Sequence, residues 1–169
     1  KIVTCALGGA VVTNDDSLAQ RVRELIDHGA NWREDRIHKA IGGNFKFNDV
    51  LASLGIPQLE RLDELVERRK EIRSWYRERL PVVGGEDGWC VIVRSRQAGA
   101  LIRHLAERGV EALQPYKPNH WHLPYKTNQS FPNAERAARE LVYLPSHLQL
   151  TKADVTTVCN AVEGFNERN

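Results

Sequence analysis

The sequence of 169 residues has no methionine, only three cysteines, no long apolar run and almost no excess charge of either sign. Each of these absences excludes something. No stretch approaches the roughly 18 consecutive apolar residues of a membrane helix, and the mean hydropathy is -0.48, so no membrane span and no membrane partner are expected. Lys and Arg number 24 against 22 Asp and Glu, a net charge of +2. No basic run interleaved with aromatics offers a footprint for nucleic acid. Cys5, Cys90 and Cys159 are odd in number, widely spaced and never arranged C-x-x-C. That argues against a disulfide framework or a zinc ribbon and favours a reducing, cytoplasmic setting. Without methionine and with Lys1 first, the chain is expected to be either processed or the downstream piece of a longer one. A Walker loop, G-x-G-x-x-G, H-E-x-x-H and G-x-S-x-G are also missing, which removes the mechanisms most easily read from sequence.

What is present is ordinary globular composition, 41% hydrophobic and 27% charged. Gly8–Thr13 is a short β-branched run that predicts a strand, and Asn14, Asp15 and Asp16 offer cap oxygens to a helix over Ser17–His28 that Gly29 closes. Ala30–Asn48 lacks a period and reads as an ordered loop. Asn48 caps a helical stretch to about Leu80, with an interruption expected near Pro57 and a solvated charged face over Glu60–Arg79. Beyond a glycine-rich break at Val83–Gly88, Trp89–Val93, Gln97–Arg108 and Gly109–Leu113 predict a small βαβ unit. A loop over Pro115–Pro132, a helix over Asn133–Glu140, a strand over Leu141–Leu144 and a final helix follow. Thr151 and Asp154 are spaced as a capping box for that last helix. The composition shift at Pro81–Gly88 is the most plausible domain boundary, dividing the chain into residues 1–80 and 81–169.

Chemistry-bearing clusters are few. His120 and His122 flank Trp121 without a third ligand at defined spacing, so no metal is expected. Glu111 and Asp154 have no carboxylate partner, and the cysteines read as small core residues. Four longer patterns remain. Lys1-Ile2-Val3-Thr4-Cys5-Ala6-Leu7-Gly8-Gly9 opens the chain, and Gly43-Asn44-Phe45-Lys46-Phe47 precedes an A-x-x-G-x-x-Q-L helix at Ala52–Leu59. Tyr116-Lys117-Pro118-Asn119-His120 leads to Pro124-Tyr125, and Leu144-Pro145-Ser146-His147 precedes Leu150-Thr151. Together and in this order, they resemble the sugar aminotransferases of the DegT/DnrJ/EryC1/StrS family, from their pyridoxal-binding lysine onward.

The resemblance implies an α/β fold, the C-terminal part of a type I pyridoxal phosphate-dependent transferase: the end of the large domain plus a small α/β domain. It implies that Lys1 forms a Schiff base with pyridoxal 5'-phosphate and shuttles protons, as a desolvated lysine amine can. Asn44 would reach the partner protomer's cofactor phosphate in a homodimer. Lys46 stands where many members carry Arg, retaining the charge without the bidentate fork, and His120 would face the substrate. Leu7 departs from a common Glu. The implied reaction transfers an amino group, commonly from glutamate, to a keto carbon of a nucleotide-linked deoxysugar. The groups that pair the pyridinium nitrogen and hold most of the phosphate precede the lysine in that family, so the 169 residues alone are expected to be inactive. A sugar dehydratase of the same fold and a noncatalytic dimerisation scaffold are the alternatives.

Overall fold

The computed structural model describes residues 2–31, 34–85 and 89–166, which divide into one unit built from Val3–Leu62 and another from Asp63 onward. In the first unit, α1 (Asp16–Ile26) starts where the Asp15 carboxylate accepts hydrogen bonds from the Ser17 and Leu18 amides. The Ser17 hydroxyl, also bound to that carboxylate, is the main reason the Asp15 pKa lies below the ordinary carboxylate range. The helix ends at Ile26, and the chain reverses through left-handed conformations at His28 and Gly29. The described residues between Gly29 and Asn44 then fold back on the helix end, with bridges Ala30 to His38 and Asp27 to Asn44. The returning chain passes so close that a Cβ at Gly42 would lie 2.3 Å from the Gly29 nitrogen. The strand expected over Gly8–Thr13 is absent. This segment has no ladder partner among the described residues, and Val12 is 94% exposed.

Asn48 caps α2 (Asp49–Glu60) through its side-chain oxygen and the Leu51 amide, 2.9 Å away. The helix passes through Pro57 and stops at Arg61, so the break falls a turn later than expected. Proline deletes one donor, and the remaining bonds carry the helix one turn farther. A second helix, α3 (Leu62–Arg77), follows.

In the second unit, β1 (Val91–Arg94) pairs antiparallel with β2 (Leu141–Leu144) in the register Ile92 to Tyr143. Tyr143 also bridges Leu113 antiparallel on its other side. The expected βαβ unit, with α4 (Ala98–Ala106) as its crossover, is therefore split, because β2 runs between β1 and the segment ending at Leu113. The cause is long-range packing. Val91, Val93, Val142 and Leu144 all turn inward onto one core with Ile72, Tyr76, Leu101 and Leu105. Two further helices complete the unit, α5 (Pro132–Glu140) and α6 (Lys152–Asn166). The Thr151–Asp154 box forms reciprocally, the Asp154 carboxylate accepting from the Thr151 amide and hydroxyl while the hydroxyl accepts from the Asp154 amide.

The expectation of a solvated face on α3 is corrected. Arg73 is 3% exposed, donating to the carbonyls of Cys90 at 2.8 Å and Val83 at 2.7 Å. Arg68 donates to Leu148 and Leu150, and Arg69 to Trp89. A guanidinium carries five forked donors, which suits it to loop carbonyls left outside any ladder. With Tyr76 donating to the Pro145 carbonyl at 2.9 Å, these bonds join α3 to the carboxyl-terminal unit. The two compact units meet at residues 62 and 63.

Candidate active site

Lys1 lies outside the described residues. Ala6 adopts a left-handed conformation (φ 64°) in a turn closed by the Leu7 amide on the Cys5 carbonyl at 2.8 Å. That conformation costs a non-glycine residue about 1 kcal/mol. Two residues later Gly8, at φ 114°, lies against the Phe47 ring so tightly that a Cβ would be 2.8 Å from it. The contact brings two predicted motifs together: the segment led by Lys1 and the segment carrying Asn44 and Lys46.

Phe45 and Phe47 line an apolar cavity of about 460 Å³ with Val11, Val22 and Ile26. Asn44 and Lys46 occupy the alternate positions. Asn44 is exposed, and its backbone bridges Asp27. Lys46 Nζ is 2.7 Å from Asp27 Oδ1, with both side chains partly exposed. A carboxamide and an ammonium suit a phosphoryl group in chemistry. Asp27 already holds the ammonium, so Asn44 is the donor with no side-chain partner among the described residues. Sequence reasoning missed Asp27, because only the folded bridge brings it to Lys46.

His120 sits in a single helical turn, Asn119–Trp121, after the extended Pro118. Its Nε2 is 3.2 Å from Glu135 Oε1, and the imidazole is only 12% exposed. Phe131 packs against the ring at 4.9 Å and Trp121 approaches edge-on at 6.0 Å. Glu135 is itself fixed, accepting from the Phe131 amide at 3.2 Å and facing Arg139 Nη2 at 3.5 Å. The imidazole is oriented by a carboxylate and two rings, with Nδ1 outside the Glu135 contact. Glu135 was also missed, since a separation of 15 residues across a loop carries no local signal. His122 is exposed, and no group of three or more potential metal ligands occurs among the described residues. A neighbouring cleft of about 420 Å³ joins Tyr116 of one motif to Pro145, Ser146 and His147 of another, over Trp89 and Tyr143.

Solved structures define the class. Sugar aminotransferase CalS13 from Micromonospora echinospora superimposes with a TM-score of 0.86 at 26% identity, covering 97% of this chain and 49% of that one. Aminotransferase TlmJ from Streptoalloteichus hindustanus gives 0.82 at 33% identity over 92% of this chain and 46% of its own. The fold is thus the carboxyl-terminal part of an aminotransferase fold of this type. The chain belongs to the DegT/DnrJ/EryC1/StrS aminotransferase family, whose profile matches residues 1–163. GDP-perosamine synthase of Caulobacter vibrioides is 29% identical over 96% of this chain and 49% of that protein. A dTDP-4-dehydro-2,3,6-trideoxy-D-glucose 4-aminotransferase of Saccharopolyspora spinosa is 30% identical over 95% and 48% respectively. The chain spans about half the length of these relatives.

Proposed function

We propose that this chain is the lysine-bearing, carboxyl-terminal half of a pyridoxal phosphate-dependent aminotransferase acting on a nucleotide-linked keto-deoxysugar, with glutamate as amino donor. The observation that carries the reading is the packing of Gly8 under Phe47. It packs the segment after Lys1 against the chain that carries Asn44 and Lys46, so the lysine-led segment and the loop that would reach a neighbouring protomer are built into one unit of the fold. The family match over residues 1–163 supports it, as do the nucleotide-linked sugars in the names of relatives. When bound, pyridoxal phosphate supplies the carbonyl carbon and the electron-accepting ring of the reaction.

This chain's residues would divide the remaining work. Lys1 Nζ holds the cofactor covalently and moves the proton at the substrate carbon, tasks that need an amine freed of its ordinary pKa near 10.4 by desolvation. Asn44 donates from its carboxamide to the phosphate of the neighbouring protomer, and Lys46, neutralised by Asp27, adds a weaker field. His120, oriented by Glu135, faces the sugar. Three free thiols suit action in the cytoplasm. The test is incubation of the full-length protein with pyridoxal phosphate, glutamate and nucleotide-linked keto-sugars. Expected are an amino sugar and 2-oxoglutarate, with neither formed by the 169-residue chain alone. Loss of water from the sugar instead points to a dehydratase; dimerisation without cofactor uptake points to a scaffold. Either result overturns the reading.

A further inference from the structure

The geometry points to Gln58 as a positioning residue for Lys1, an inference that rests on the function proposed above. The Gln58 carboxamide pairs with the main chain of Thr4 in both directions. Its Oε1 accepts the Thr4 amide at 3.0 Å, and its Nε2 donates to the Thr4 carbonyl at 2.8 Å. The second Nε2 hydrogen goes to the Leu54 carbonyl one turn back on the same helix. Both donors are thereby used and the side chain is tied to α2 at its far end. This amide acts as a one-residue β-strand, offering Thr4 the donor and acceptor that a neighbouring strand would supply.

Three positions before Gln58, on the same helix face, Gly55 leaves the space that the pairing needs. It is buried, and a Cβ there would stand 2.6 Å from Cys5 Sγ. The two residues make a notch in α2 that seats Thr4 and Cys5. Thr4 follows Lys1 by three residues, and three trans peptides span at most about 11 Å. Whatever fixes Thr4 limits where the lysine amine can reach. The strained turn at Ala6 sits directly after the notch, so the segment is anchored before it bends toward Gly8. Gln58 need touch neither cofactor nor substrate.

The test uses the full-length apo-protein and two readouts. Amide hydrogen exchange of the segment containing Thr4 should accelerate at least tenfold in Gln58→Ala. Capture of pyridoxal phosphate on Lys1, followed by visible absorbance, should slow about 10- to 100-fold, in line with the sensitivity of reaction rates to displacements of about 1 Å. Gln58→Glu keeps the protein testable if the alanine variant fails to accumulate. A protonated carboxyl restores the acceptor and one of the amide's two donors, whereas a carboxylate faces the Thr4 and Leu54 carbonyls with no hydrogen to give. The capture rate of Gln58→Glu relative to wild type should therefore rise as pH falls through the carboxyl titration. A ratio flat with pH, or Gln58→Ala capturing cofactor at the wild-type rate, overturns the inference. Wild type that captures no cofactor on Lys1 overturns the proposed function itself.

Discussion

Replacing Arg73 by methionine removes the guanidinium that caps the Cys90 and Val83 carbonyls. Hydrogen bonds from a charged donor contribute about 1.5–3 kcal/mol each, and an orphaned buried acceptor costs about 1–3 kcal/mol. Against this stands relief of a buried charge, whose desolvation is the main reason the Arg73 pKa lies below its ordinary value. The balance predicts a net loss of about 2–3 kcal/mol. With a urea slope of about 1–3 kcal/mol/M, the unfolding midpoint should fall by about 1 M, followed by tryptophan fluorescence. Arg73→Lys should lose about half as much, because an ammonium lacks the fork that spans two carbonyls. The same methionine change at exposed Arg103 should have little effect. A midpoint unchanged in Arg73→Met would refute the argument, showing that water serves the two carbonyls equally well.

Further outcomes follow from other contacts. His120→Ala should lower kcat/KM for the sugar at least about tenfold. Glu135→Leu should approach that loss, while Glu135→Gln, which keeps an oxygen for the imidazole and the Phe131 amide, should lose about threefold or less. Equal losses in the two Glu135 variants would contradict the orienting role. The Asp154 pKa is depressed chiefly by the Thr151 hydroxyl, so its contribution to stability is complete above the unfolded carboxyl value near 3.9. That contribution disappears as pH falls through the lower folded value. Carboxyl NMR titration should show Thr151→Ala returning Asp154 toward the ordinary value; an unchanged midpoint would count against the cap. Burial pushes the Cys90 and Cys159 thiols up, so in the native protein at neutral pH both should react with a thiol reagent far more slowly than after unfolding. Immediate modification of either would show that its seal is incomplete.

The elements readable in advance were those governed by neighbours in sequence. Asp15, Asn48 and the Thr151–Asp154 box each cap the helix that their spacing announced. What escaped was set by distant segments. The insertion of β2 between β1 and Leu113 depends on which apolar faces meet in the core. The carbonyl partners of Arg73 lie 10 and 17 residues away, and a dense run of Arg and Glu looks the same whether solvated or pinned. At the site, Asn44 and His120 were marked by family patterns, yet Asp27 and Glu135, which bear on Lys46 and His120, were not. Gln58 belongs to the A-x-x-G-x-x-Q-L pattern, which says nothing of its partner. Its meaning required seeing Thr4, 54 residues away, against its amide.

The most direct measurement is reductive trapping of pyridoxal phosphate on the full-length protein with borohydride, followed by peptide mass mapping. The account predicts a single pyridoxyl adduct on the lysine that leads Ile2-Val3-Thr4-Cys5, lost when glutamate is added before reduction. An adduct on another lysine such as Lys46, or no adduct from a folded full-length protein, would contradict it.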